Sequence, residues 1–600
     1  MVSGPRENRG TLYPDRRMYF RAVCVLILLL APAYSFLGAT QPSWVDRSNH
    51  NAELLLKIEA RYFPEEASRR GVAGVDDQIS IPAIDRPERI RHDRDEALKE
   101  LRTRLAAERD PLVREDLEIL IGAGERQNRS SRAEEKFLLP YANAGETVYE
   151  GLSGLLQDQV AAERRAAALV RLRKYAGVAP GYEPATVLME NVFRERLKTP
   201  GLLGPPRVEV EKDLAQMDSY VNGIGLLFEK YKMSGYEEPY AKLKGQLAEY
   251  QAFVRTEVLP RARMDFRMPP ELYAVDLDRY GVDFAPAELI RIGHEGFQQI
   301  QAEMQTVAVK VAKERNLPSS DYRDVIRALK KEQLAADEVM PVYNQTLSNI
   351  EAIIRREHLV TLPDRPAIIR LATAAETAQQ PAPHMQPPPL INNHGERGQF
   401  VLPAGTVGAN GKALKYDDFT FNAATWTLTA HEARPGHELQ FDSMVERGVS
   451  LARAIYAFNS TNAEGWGLYA EWMMYPYMPD DAKLISLQLR LQRAAREFLD
   501  PELQEGKITP EAALKVLEND VVLSEAFATE EVDRFTFRMP GQAVSYYDGY
   551  TRLLEIRHDA EQALGPKFDA QKFHDFILSQ GLLPPSLLRK AVMGEFVSSL

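Results

Sequence analysis

The sequence predicts a mainly α-helical protein: one large multi-helix body with a small antiparallel β element. Three observations carry that prediction. From about Trp44 to Arg261 apolar residues recur every three or four positions, the period of a helix with one buried face. Runs with strand character are confined to Ala367–Leu371 and Gln399–Leu402. The composition is that of an ordinary globular chain, 44% hydrophobic and 27% charged over 600 residues, enough to bury a large core.

Residues 1–39 read as an export signal and not as part of the fold. Arg16, Arg17 and Arg21 precede an apolar run over 22–31, and small residues follow at Ala33, Ser35, Gly38 and Ala39. About ten apolar residues are too few to span a bilayer. The expectation is a cleaved signal and a periplasmic or secreted chain with no stable membrane insertion; an uncleaved signal acting as an anchor is the alternative. Met18 is a second candidate start, because the residues before it are polar. Cys24, the one cysteine, falls inside the signal, so the remainder has no disulfide and tolerates an oxidising compartment. A net charge of −12 without a long basic run argues against a nucleic-acid partner.

Two regions follow, packed as one body: a helical region over 40–385 and a catalytic region over 386–600. In the first, Leu98, Leu101 and Leu105 mark one helical face, Asp110-Pro111 supplies an N-cap and a proline for the next helix, and Leu117, Leu120 and Ile121 continue it. Similar stripes run over 157–175 and 240–258, prolines punctuate them, and no repeat period indicates a solenoid. Pro286 opens a long helix containing His294-Glu295. With Gln298 and Ile300 at the positions where a second ligand would stand, that pair reads as a helix-surface histidine. The stretch 381–389 is too rich in proline for a helix or a central strand and reads as a loop into the catalytic region.

The most informative stretch is His431-Glu432-Ala433-Arg434-Pro435-Gly436-His437. Two histidines supply neutral nitrogen ligands for Zn²⁺, and a glutamate next to the first can serve the water that the ion activates. The familiar spacing of such histidines is i and i+4 on one helical face. Here it is i+6, which on a straight helix turns the two about 120° apart. Pro435 lacks an N–H and Gly436 permits unusual dihedrals, so a distortion of the helix there can bring both imidazoles to one ion. On a straight helix Glu438 would share the face of His431 and be the rival to His437. A third ligand is expected from Asn462-Ala463-Glu464-Gly465-Trp466-Gly467-Leu468-Tyr469-Ala470-Glu471, whose two carboxylates share a helical face. Glu464, among small residues that permit close helix approach, is the expected ligand. Glu471 is expected behind it, holding a histidine by its other nitrogen.

The series HEARPGHELQ, EGWGLYAE, PGQAVSYYDG and FHDFILSQG resembles the bacterial family known as domain of unknown function 885, over the C-terminal half strongly and the preceding helices weakly. That family looks like a distant relative of the gluzincin metallopeptidases. The resemblance implies a metallopeptidase-like body with one zinc per chain held by His431, His437 and Glu464, and a peptide substrate. The family's motif reads H-E-x-x-P-G-H-H, and Glu438 departs from it at the last position. Aligned on the proline-glycine-glutamine, Tyr546 is the expected oxyanion donor, with Tyr547 as alternate and Gln542 among the substrate contacts. By the same resemblance Gln399–Leu402 is a candidate edge strand for pairing with extended substrate; an ordinary surface hairpin is the alternative.

Beyond these motifs, 484–499 reads as a basic amphipathic helix with solvated arginines. Arg534 either binds a substrate carboxylate or pairs with Asp533 or a neighbouring glutamate, and His574 is either a further donor or a helix-packing histidine. The functional expectation is a zinc-dependent hydrolase of peptide bonds with Glu432 as general base. A metal-dependent amidase acting on a non-peptide amide, or a helical binding protein with a degenerate site, are the alternatives.

Overall fold

Helices start where local chemistry favours them. Asp110 accepts the Leu112 N–H at 3.0 Å, and Pro111 opens a helix running to Phe137. Pro286 opens another over Pro286–Glu314. This computed structural model describes residues 43–403, 406–407, 413–414 and 416–599, so the signal expected at 1–39, with Cys24, lies outside the described residues. The described part is mainly α, as the periodicity predicts.

The chain from Trp44 onward forms one compact unit. Its apolar side chains sort into two large cores, and these do not follow a boundary at residue 385. Helices Ser43–Tyr62, Arg86–Ala107 and Pro111–Phe137 share the main core with Pro286–Glu314 and the C-terminal region. The intervening helices, from Ala144 to Phe253, close around a second core that includes Tyr149, Leu172, Tyr220 and Phe228. Both cores draw on the stretch before residue 385.

Helix Asp480–Gln504 runs through the middle of the C-terminal region and is buried on nearly every face. It packs along Pro286–Glu314, where Gly293 lets the backbones approach: a Cβ there would stand 2.9 Å from Glu497 Cβ and 3.0 Å from the Phe498 N. The expectation of a solvated basic face on this helix is wrong, because partners remote in sequence neutralise it. Arg496 donates to both oxygens of Glu531 at 2.5 and 2.7 Å, Arg493 lies 3.8 Å from Glu471, and Arg490 lies over the Tyr475 and Tyr550 rings. His294 is a surface histidine, hydrogen-bonded to Glu502 at 3.0 Å and stacked on Phe498.

The β element is a mixed three-stranded sheet. Strands β1 (Ile368–Leu371), β2 (His384–Gln386) and β3 (Gln399–Leu402) are ordered β1-β3-β2, with β1 parallel and β2 antiparallel to β3. Three expectations change. The sheet is mixed and not antiparallel throughout, because the long stretch between Leu371 and Gln399 carries the chain back so that β3 runs parallel to β1. The proline-rich stretch contains a short strand, which its prolines keep to an edge. β3 is the buried central strand and has no free edge to offer a peptide; β2 and β1 hold the edges. Among the described residues no helix is long and apolar enough to cross a membrane.

Candidate metal centre

The histidine motif is built on a broken helix. Asn422–Leu428 continues into a wider π-helical turn over Thr429–Ala433, which carries His431 and Glu432. Arg434 then adopts an extended conformation, Pro435 and Gly436 turn the chain, and a new helix begins at His437. The turn folds back so tightly that a Cβ at residue 436 would run into the His431 carbonyl oxygen, which explains the glycine. Breaking the helix frees the histidines from the 120° separation of a straight helix, and their rings meet edge to face with centroids 4.7 Å apart.

Helix Ser460–Met474, capped by Asn459 at 2.7 Å to the Asn462 N–H, lies against this turn. Glu464 Oε2 stands 3.3 Å from His437 Nε2 and 3.6 Å from His431 Nε2, and among the described residues this trio is the group of histidines and carboxylates close enough to share an ion. Ligand atoms around a tetrahedral zinc at 2.0–2.1 Å lie about 3.3 Å from one another, so the two nitrogen-to-oxygen spacings fit that ion. The donor set, two imidazoles and a carboxylate, fits its chemistry as well.

The same helix supplies the supports. Glu471 Oε1 lies 2.8 Å from His431 Nδ1, turning Nε2 toward the trio, and its other oxygen accepts the Thr427 hydroxyl at 2.5 Å. Trp466 donates its indole N–H to the Pro435 carbonyl at 2.9 Å and holds the turn. Gly467 makes room for the imidazole: a Cβ there would stand 2.5 Å from His431 Cε1 and 2.7 Å from Nε2. On the opposite side Gly465 abuts the Gly549 backbone of helix Ser545–Leu564. Glu438 is turned away from the trio, its carboxylate held by Arg365 at 2.5 Å and Arg434 at 2.9 Å, so it does not compete with His437.

Electrostatics reflect the crowding. Burial opposes charge on His431, yet its bonds to Glu464 and Glu471 push it up to about 9, so a cation must displace a proton to enter. Glu464 is driven well below the usual carboxylate range by the two histidines against the pull of burial. Glu432, largely buried, is raised by that burial, and the histidines offset part of the rise.

Tyr546 is brought to the trio's flank, its ring nearly parallel to that of His431 at 6.5 Å between centroids. Arg534 donates to its hydroxyl at 3.4 Å and lies 4.0 Å from Glu531, while Arg496 covers the ring at 4.3 Å. Gln542 bonds Ser460 at 3.0 Å, tying the proline-glycine turn to the start of the Glu464 helix. Tyr547 points to the Pro286–Glu314 helix, where a Cβ at Gly296 would collide with its hydroxyl. His574 has both ring nitrogens engaged, Nδ1 with the Leu359 carbonyl at 2.6 Å and Nε2 with the Tyr469 hydroxyl at 2.8 Å, the arrangement of a packing histidine. Sequence reasoning missed Gly467, Trp466, Thr427, Arg493 and Arg496. Only the two residues inside EGWG carried a signal, glycine and tryptophan beside a candidate ligand.

Comparisons with known proteins span most of the chain. The family model described as "Bacterial protein of unknown function (DUF885)" matches residues 64–592. Two solved structures share the fold. A "putative lipoprotein" from Colwellia psychrerythraea is 17% identical, with a TM-score of 0.75 over 92% of this chain and 100% of its own. A "putative lipoprotein of unknown function" from Shewanella oneidensis is 18% identical, with a TM-score of 0.68 over the same shares. Comparison with curated proteins gives no match.

Proposed function

This chain belongs to the DUF885 family of bacterial proteins, and we propose that it is a zinc-dependent hydrolase of peptide bonds. The observation that carries the proposal is the trio His431, His437 and Glu464 at zinc-ligand spacing, with the carboxylate of Glu432 4.0 Å from His431 Nε2. His431 and His437 would hold the ion by Nε2, and Glu464 by one oxygen. Bound there, zinc would acidify a water to a pKa of about 7 and polarise a carbonyl.

The remaining chemistry belongs to the chain. Glu432, raised by burial, takes the proton of the attacking water and delivers it to the leaving amine. Tyr546, oriented by Arg534, donates its hydroxyl to the developing oxyanion. Glu471 keeps His431 in one orientation throughout. The nearly complete burial of His431, His437 and Glu432 excludes bulk water from these transfers.

Export is part of the same proposal. The basic and then apolar stretch within residues 1–39 supports it, as do the two bacterial relatives titled putative lipoproteins. The test of the hydrolase is Glu432→Gln: peptide turnover falls at least ~10³-fold while zinc content stays at one per chain. Unchanged turnover in that variant removes Glu432 as the base and the mechanism with it.

A further inference from the structure

Beside the helix that begins at His437 lies a cavity of about 1120 Å³, larger than the ~300–1,000 Å³ of an ordinary small-molecule pocket. Its walls come from the N-terminal helices on one side and the catalytic region on the other. The trio and Glu432 do not line it. One of the elements that carry them does, since Phe441 sits one helical turn after His437, and Gln386 and Gln399 belong to β2 and β3, which pack against the turn bearing His431.

The lining charge is lopsided. Eight arginines and four glutamates face the cavity. Four of the arginines are matched: Arg69 by Glu66, Arg70 by Glu59, Arg164 by Asp76 and Arg279 by Asp276. Among the described residues Arg86, Arg94, Arg126 and Arg397 make no ion pair. Arg86 and Arg397 donate to the carbonyls of Tyr62 and Pro366, Arg86 also lying over the Phe63 ring at 4.5 Å, and Arg94 donates to the Asn128 side-chain oxygen. Burial works against the charge of Arg86, Arg94 and Arg126, yet a guanidinium stays protonated in a protein. Partly buried cations without counter-ions are costly unless a ligand brings the anions.

The spacing of those cations indicates what the ligand is. Arg86 and Arg94 lie eight residues apart on one helix, about 12 Å along its axis, while Arg126 and Arg397 come from other elements. One phosphate cannot meet groups so dispersed. An extended peptide, at about 3.3 Å per residue, presents carboxylates over that distance every three or four residues. We propose that this cavity is the substrate chamber and takes acidic peptides, whose side-chain carboxylates meet Arg86, Arg94, Arg126 and Arg397. The binding follows from the cavity alone; its assignment to a substrate rests on the hydrolase reading.

Titration calorimetry on the full chain stripped of metal separates the two. Tetraglutamate is expected to bind at least tenfold more tightly than tetraglutamine, and Arg126→Gln and Arg94→Gln are each expected to weaken tetraglutamate fivefold or more without moving tetraglutamine. Arg126→Gln breaks no hydrogen bond in the protein, so it reports even where Arg94→Gln fails to fold. Equal affinity for the two peptides, tetraglutamate affinity unchanged in a folded Arg126→Gln, or inorganic phosphate binding as tightly as tetraglutamate each overturns the acidic-peptide chamber. Tight tetraglutamate binding by a zinc-loaded chain that leaves it uncleaved overturns the substrate role and leaves the chamber standing.

Discussion

Gly467→Ala is the smallest perturbation that separates the proposed metal site from the fold. The added Cβ would stand 2.5, 2.7 and 2.9 Å from Cε1, Nε2 and Nδ1 of His431, where carbon atoms normally rest about 3.5–4.0 Å apart. Something must move by roughly 1 Å. The helix cannot back away, because residues two apart face nearly opposite directions and Gly465 already abuts the Gly549 backbone. The imidazole must therefore shift, stretching its 2.8 Å bond to Glu471 and carrying Nε2 beyond the ~0.2 Å tolerance of a zinc bond. Loss of an orienting partner alone costs 10–100-fold in affinity, so a displaced ligand is expected to cost at least ~100-fold, about 2.7 kcal/mol. Chelator competition for zinc measures this, and a thermal melt of the metal-free chain should show only the ~1–3 kcal/mol of a modest overpacking. Zinc affinity within threefold of wild type, with an unchanged melt, would refute the argument that Gly467 keeps space for the ligand.

Three further outcomes are expected. Glu471→Gln keeps the shape of the support but removes its charge from His431, so zinc affinity should drop about tenfold by the same competition assay; an undiminished affinity would mean that orientation alone matters. Tyr546→Phe should lower kcat by ~10²–10³ with KM and zinc content held, and a kcat within twofold of wild type would reassign the oxyanion donor. Glu531 would be raised by burial, but Arg496 and Arg534 hold it at about 2 against an ordinary 4.5, so its ion pair contributes stability above pH 4.5 that is lost as pH falls toward 2. That difference corresponds to about 3 kcal/mol, about half of it gone by pH 3. Urea unfolding at pH 5 and pH 3 should show this loss in wild type and a smaller one in Glu531→Gln; identical losses would exclude the pair as its source.

Much of this was readable in the sequence, for a reason that also marks where reading stopped. The helices announce themselves through local signals, such as Asp110-Pro111 and Pro286, and the pairing of Glu464 with Glu471 follows from helical period alone. Pro435-Gly436 signalled a distortion, and the structure carries it further than a bulge, to a full break. What failed depends on partners remote in sequence. Gln399–Leu402 looks like any short apolar strand; only its neighbours, at 368–371 and 384–386, make it central. The arginines of helix Asp480–Gln504 look solvated until Glu471 and Glu531 arrive from other helices to neutralise them. The second core likewise depends on how helices between Ala144 and Phe253 meet, which no single stripe reveals.

Taken together, the contacts make Ser460–Met474 the template of the centre and the histidine segment the piece fitted to it. Glu464 and Glu471, with Gly467 between them, line one face and supply a candidate ligand, a brace for His431 and the space its ring occupies. From a neighbouring direction Trp466 grips the turn that replaces a regular helix. A histidine pair six residues apart needs such a template, because a broken helix has no internal hydrogen bonds to fix the angle between its halves. An unbroken pair at i and i+4 has its angle set by the helix itself. The strength of the proposed site is therefore expected to be decided within EGWGLYAE as much as within HEARPGH, although the first offers a single candidate ligand to the second's two.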